Sequence, residues 1–194
     1  MESKKNVLKS RIMQFLVIII LVFLGTLSIF QIIRVNTQYP QTLVVSTKLG
    51  DTLELDNLNI QGISFEMVPY KDINSDKKLK SVISQIEDGE VNLIKTTITI
   101  NNDSKEIIEF PLYDVILQSY SWANAINLDT FKYFNDDRSL LITIKPNESV
   151  ELVLPYLIHQ IQFSDEDWKN ANKRKFDLVF SLYPQKKVIS LNRS

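Results

Sequence analysis

The sequence contains no cysteine, a single histidine and only four glycines among 194 residues. The lack of cysteine excludes a disulfide framework, a thiolate metal site, a cysteine nucleophile and the lipid-modified cysteine of a bacterial lipoprotein. With so few glycines, none of them clustered, no loop can bring backbone amides around a phosphate, which argues against a nucleotide cofactor. No Gly-x-Ser-x-Gly elbow presents a serine nucleophile. Charge is missing from one long stretch: Ile12 to Ile33 holds no Asp, Glu, Lys or Arg, and within it Phe15 to Leu24 is apolar on every side. The rest of the chain is ordinary. With 44% hydrophobic and 23% charged residues overall, it can bury a core.

The charge-free stretch is about 22 residues long, so as a helix it spans roughly 33 Å, enough for a bilayer core. A helix buried in a soluble core would show a polar stripe, and this one has none. Lys4, Lys5, Lys9 and Arg11 precede it against Glu2 alone, which predicts a cytoplasmic N-terminus. From Val35 onward 17 basic residues face 22 acidic ones, so the sign of the charge changes across the segment. A cleaved signal peptide would have a shorter apolar run ending in a small-x-small site. Here Phe30, Ile32 and Ile33 continue the run past the poor site around Thr26 and Ser28, so an uncleaved anchor is expected. The expected organisation is a basic cytoplasmic segment over residues 1–11, a transmembrane helix over 12–33, a short stalk over 34–41 and an extracytoplasmic domain over 42–194. Localisation follows as single-pass in the cell membrane.

Beyond the stalk the pattern is mainly β. Leu43 to Thr47, Thr52 to Leu55 and Ile60 to Tyr70 read as strands, broken at Gly50-Asp51 and over Asp56 to Asn59. In the third, Ile63, Phe65 and Met67 are expected on one face. Lys71 to Glu90 is charged, and an excursion with a helix from Lys78 to Ile86 is expected there. Ile94, Thr96, Ile98 and Ile100 alternate with Lys95, Thr97 and Thr99 before Asn101-Asn102-Asp103-Ser104, which predicts a half-buried strand entering a hairpin. Further strands are expected at Glu106 to Phe110, Tyr113 to Gln118, Leu140 to Lys145, Ser149 to Leu154, Lys175 to Tyr183 and Lys187 to Leu191. Lys145-Pro146-Asn147-Glu148 has turn chemistry. Ser164 before Asp165, Glu166 and Asp167 predicts a capped helix that turns Trp168 to the core. These elements predict an antiparallel immunoglobulin-like β-sandwich preceded by a single N-terminal transmembrane helix.

Thr96 to Leu191 resembles the telokin-like, immunoglobulin-type domains of secreted or membrane-anchored proteins of Gram-positive bacteria. The resemblance rests on the strand running into Asn-Asn-Asp-Ser, on Phe110-Pro111-Leu112, and on Leu117-Gln118-Ser119 followed by Trp122. The Lys145 to Glu148 turn, Leu154-Pro155-Tyr156 and Leu182-Tyr183-Pro184 complete it. It implies an extracytoplasmic β-sandwich and carries over no catalytic residue.

His159, between Ile158 and Gln160, is the only base available to a hydrolase triad with Ser119, Ser121 or Ser164. A structural or surface histidine is the simpler reading. Asp136-Asp137 and Asp165-Glu166-Asp167 lack the spaced ligands and glycine of a calcium loop and read as solvated. The triplets at Asn102, Asn147 and Asn192 fit the glycosylation pattern, which carries little weight in a bacterium. The outer segment is acidic and the pairs Lys77-Lys78 and Lys186-Lys187 are small, so no nucleic-acid partner is expected. Tyr120, Trp122, Phe131 and Tyr133 form a dense aromatic group and a candidate interaction surface. The expected function is a non-enzymatic, membrane-tethered recognition module at the cell envelope, with no metal or cofactor. Its partner would be a protein, a peptide or an envelope component. The alternatives are an accessory subunit of a transporter or of a bacteriocin immunity or export complex, and an envelope hydrolase.

An uncleaved anchor predicts retention in membranes through alkaline carbonate washing, with loss of the segment beyond Val35 to external protease in wall-stripped cells. A soluble species beginning near Ile29 would contradict it.

Overall fold

A computed structural model describes residues 2–39, 42–83 and 90–191. The chain divides into two compact units, Met1–Gln41 and Thr42–Ser194. The first is one helix, α1 (Glu2–Gln38). Its stretch Met13–Gln38 is long and apolar enough to cross a membrane. The expected stalk is therefore helical as far as Gln38. Nothing before Pro40 breaks a helix, and a proline disfavours helical geometry at the residue ahead of it.

The second unit opens with β1 (Leu43–Lys48), β2 (Thr52–Leu55) and β3 (Leu58–Val68). Two short helices follow, α2 (Tyr70–Ser75) and α3 (Lys77–Ile83), in place of the one longer helix expected; Ser84 to Ile86 lie outside the described residues. The break comes at Asp76, whose side chain accepts from the amides of Lys78 and Leu79 and so starts α3 afresh. Next come β4 (Val91–Asn102), β5 (Ile108–Pro111), β6 (Ile116–Ser119), β7 (Trp122–Ala125) and α4 (Leu128–Phe134). The unit ends with β8 (Leu141–Ile144), β9 (Ser149–His159), α5 (Asp165–Lys169), β10 (Asp177–Ser181) and β11 (Gln185–Ser190).

These strands make a β-sandwich. One sheet has the order β1-β11-β10-β6-β7, the other β2-β3-β4-β9, and β5 pairs with β8 in a small third sheet. The sandwich is antiparallel except that β1 runs parallel to β11. Asn101 to Ser104 does not close a hairpin, because β5 pairs with β8 instead of returning along β4. The expected strand Tyr113 to Gln118 is shorter, since Leu112–Asp114 forms a single 3-10 turn before β6.

Alternation in β4 sends Ile94, Thr96, Ile98, Ile100 and Asn102 into the space between the sheets. Neighbouring β3 supplies Leu58 and Ile60 on the same side, until a bulge between Gly62 and Ser64 shifts its register. The extra residue is Ile63, which is pushed outward and exposed, while Phe65 and Met67 pair with Thr96 and Ile94 and pack on the core. Ile63 therefore does not share a face with Phe65 and Met67. Gly62 stands where a Cβ would lie 3.0 Å from Leu49 Cδ1 and 3.1 Å from Ile189 Cγ2, closer than a side chain is normally approached, so glycine suits the site. On the outer side of β4, Val91 and Leu93 form a second small core with Ile73, Leu79, Ile83 and Leu157. This is why the start of β4 is buried on both faces.

Asn102 is fully buried, and its amide is completely paired. Nδ2 donates to the carbonyls of Glu106 (2.8 Å) and Ile144 (3.0 Å), and Oδ1 accepts from the amide (3.0 Å) and hydroxyl (2.7 Å) of Ser104. Its own amide donates to Glu148 O, and its carbonyl accepts from Asn147 N. One side chain thus satisfies both turns by which the chain leaves and regains the four-stranded sheet.

Asn102→Ala should cost about 2–4 kcal/mol in urea unfolding followed by tryptophan fluorescence, because it orphans these buried groups. Asn147→Gly, at a position with φ of +58°, should stay within about 1 kcal/mol of the parent. Equal effects would remove the role assigned to Asn102.

Candidate interaction surface

β6 and β7 pair so that Ser119 faces Trp122, leaving a two-residue turn of Tyr120 and Ser121. Tyr120 has φ of +54°, a geometry that glycine or asparagine adopts readily and that costs a bulky residue about 1 kcal/mol or more. Its side chain is 72% exposed. β10 pairs Asp177 with Gln118 and leads through Ser181 toward the start of β11. The Tyr120 turn therefore lies at the end of the sheet opposite to that at which β1 begins.

The segment from His159 to Arg174 returns to this turn. Ser164 caps α5 as expected, its hydroxyl accepting from Asp167 N at 3.2 Å and lying 2.9 Å from Asp167 Oδ2. Asn170 closes the helix after five residues. A further 3-10 turn, Ala171–Lys173, then sets Arg174 between two rings, with its guanidinium 5.5 Å from the centre of Tyr120 and 5.0 Å from that of Phe163. Its Nε donates to Ser119 Oγ at 3.3 Å, and its Nη1 pairs with Asp167 Oδ1 at 3.0 Å. Beneath it Phe163 lies 5.5 Å from Trp122 and 6.2 Å from Trp168, and Trp122 meets Phe176 edge-on at 6.3 Å. Both indole N–H groups are used, Trp122 donating to Gln162 Oε1 and Trp168 to Glu90 Oε2. The result is a graded stack, apolar at its base and capped outside by a cation and a phenol. It can offer an aromatic face to an apolar or cationic group and a phenolic hydroxyl to a polar one.

The four aromatic residues predicted to form one surface are not together. Tyr120 is exposed at the turn and Trp122 is half-buried beneath it. Phe131 is fully buried in the main core, so it is no part of a surface; α4 is amphipathic and turns Phe131 inward. Tyr133, on the same helix, packs edge-to-face on Phe134 at 4.9 Å over the second core, with Lys78 Nζ 5.1 Å from its ring centre. The partners that complete the stack, Arg174, Phe163 and Gln162, are not legible as a group in the sequence. They lie 40 or more residues from Trp122 and Tyr120, and no local period links them.

Two of the serines named as hydrolase candidates have other tasks. Ser119 Oγ holds Arg174, Ser164 caps a helix, and among the described residues no hydrogen bond joins His159 to either of them or to Ser121. Burial at the end of β9 lowers the pKa of His159 below 6.5. Asp136 and Asp137 both have positive φ in the turn after α4. No group of three or more His, Cys, Asp or Glu side chains able to hold a metal ion is found among the described residues. A shallow groove of about 520 Å³ between β8 and the start of β9 is lined by Arg138, Ser139, Glu148 and Glu151 and contains no aromatic side chain.

Residues 64–187 match the family described as a domain of unknown function, DUF5028. Among solved structures the chain is similar to an uncharacterized β-sandwich protein from Clostridium difficile 630, at 13% identity over 78% of this chain and 97% of that one, with a TM-score of 0.44. It is similar also to the yjhA protein from Bacillus subtilis, at 10% identity over 75% and 98% of the two chains, with a TM-score of 0.46. A functionally unknown protein from Listeria monocytogenes EGD-e shares 12% identity over 72% and 79%, with a TM-score of 0.48. No curated protein matches the chain. The telokin-like resemblance gains nothing from these matches and rests on the sequence motifs alone. The family match takes in more than half of the sequence, and the chain therefore belongs to the DUF5028 family.

Proposed function

We propose that this protein is a membrane-tethered recognition module of the cell envelope that binds without catalysing, with its N-terminus cytoplasmic and its β-sandwich outside. The observation that carries this reading is Tyr120, a large aromatic kept exposed at positive φ and stacked on Arg174. Its stacking on Arg174 is worth about 1 kcal/mol, about what the turn geometry costs, so folding alone draws no net gain from a tyrosine here. A contact made by the side chain would explain it. The turn stands at the end of the sheet away from the start of β1, where a partner can reach it. The partner proposed is a protein, peptide or envelope component that offers an apolar or cationic group to the phenol ring.

Tyr120→Gly supplies the test, since it relieves the turn and removes one cation–π contact, each worth about 1 kcal/mol. Stability should therefore stay within about 1 kcal/mol of the parent in thermal unfolding. A photo-crosslinking amino acid at Ser121 should give discrete adducts in the native membrane that disappear in the Tyr120→Gly background. Adducts that survive the substitution overturn the assignment of this surface.

The non-enzymatic part is checked at His159. Because folding lowers its pKa, the unfolded chain binds this proton more readily, and stability should fall as pH drops below 6.5. His159→Gln should flatten that part of the pH profile of unfolding and leave the Ser121 adducts unchanged. A hydrolase relying on this imidazole would instead lose at least about a hundredfold in rate. A stable His159→Gln protein without function would overturn the reading.

A further inference from the structure

The end of the five-stranded sheet at which the chain enters the domain carries exposed apolar side chains with no use in its core. Leu43, the first residue of β1, is 70% exposed, and Val44 beside it is also exposed. β1 pairs with β11 in the register Leu43 to Gln185, which puts Leu43 beside the turn between β10 and β11. At the tip of that turn Leu182 is exposed and Tyr183 is 83% exposed. Leucine, valine, leucine and tyrosine thus stand at one end of the sheet; the ammonium groups of the neighbouring Lys186 and Lys187 are taken up within the domain, by Gln118 Oε1 and Glu54 O. Such a group on a domain in water loses the hydrophobic free energy of its exposed area, about 25 cal/mol per Å².

What covers it is indicated by the chain itself. The apolar part of α1 stops at Ile33, and five more helical residues reach Gln38, adding about 7 Å, the depth of a headgroup layer. Leu43 follows five residues after Gln38, so its Cα lies at most about 18 Å from the end of the helix. A connection this short keeps Leu43 within reach of the headgroup layer. We infer that Leu43, Val44, Leu182 and Tyr183 dock on the outer leaflet of the bilayer, with the Tyr183 ring at the boundary between headgroups and acyl chains. Tyrosine favours that depth because its ring is apolar and its hydroxyl polar. The inference rests on the membrane anchor proposed above and is independent of what Tyr120 binds.

The absence of cysteine makes the experiment direct, because any introduced cysteine is the only one. The full chain is placed in nanodiscs of phosphatidylcholine and phosphatidylglycerol, with a fluorophore on Val44→Cys, Tyr183→Cys or Tyr120→Cys. Nitroxide lipids carry the quencher either on the headgroup or at acyl carbon 5. The acyl nitroxide should reduce emission at 44 and 183 at least about twofold and leave 120 unchanged. Leu182→Ser together with Tyr183→Ser should abolish more than half of the quenching at 44. Labels at 44 and 183 that respond only to the headgroup nitroxide, or to neither, overturn the docking while leaving the anchor intact. A disulfide-linked dimer of Tyr183→Cys without acyl quenching overturns it in favour of a second copy of the chain. Failure of the chain to enter the discs overturns the anchor and the docking together.

Discussion

A β-sandwich whose chain repeatedly changes sheets has to satisfy the backbone groups exposed at each crossing, and here one buried asparagine serves two crossings at once. At Asn102 the chain leaves the four-stranded sheet for β5, and at Glu148 it returns from β8 to begin β9. The side chain donates twice and accepts twice, and its backbone ties the second turn to the first. A half-paired amide at this depth would be worse than an apolar residue, whereas a fully paired one specifies a single arrangement. The pairing of β4 with β9, and through it the alignment of the inner faces, starts from this point.

Other asparagines treat the open edge of β9 in the same way. Asn135, at the end of α4, accepts from Val153 N and donates to Val153 O, taking the place of a neighbouring strand. The amide of Asn127 bonds Pro155 O, and Asn124 Nδ2 bonds Leu157 O. Pro155 itself has no N–H to leave unpaired, which suits an edge position. Each bond blunts a strand edge that could otherwise pair with another chain. Together they fasten α4 and the β6–β7 hairpin against the opposite sheet, and so hold Trp122 and the Tyr120 turn where the His159 to Arg174 segment can close over them.

The two ends of the five-stranded sheet are consequently different in build. At one end an arginine held between two rings, neutralised by Asp167 and bonded to Ser119, supports a single exposed tyrosine. At the other, apolar side chains stand unsupported beside the point where the chain enters. The first arrangement fixes Arg174 by two ring contacts, an ion pair and a hydrogen bond. The second has no such scaffold.

Local chemistry made much of this visible in the sequence. The charge-free run from Ile12 to Ile33, the alternation of Ile94 to Ile100, the turn at Lys145 to Glu148 and the cap at Ser164 each depend on residues a few positions apart. Periods of two or 3.6 and capping preferences report such neighbours directly. Tertiary structure alone decided the rest. The bulge that expels Ile63, the parallel pairing of β1 with β11, the partnership of β5 with β8 and the burial of Phe131 depend on which elements meet across the sandwich. The stack at Tyr120 joins residues up to 54 positions apart, so no pattern along the chain could announce it. Side-chain period and turn preference are properties of a segment, whereas sheet partners and ring contacts are properties of the space between segments.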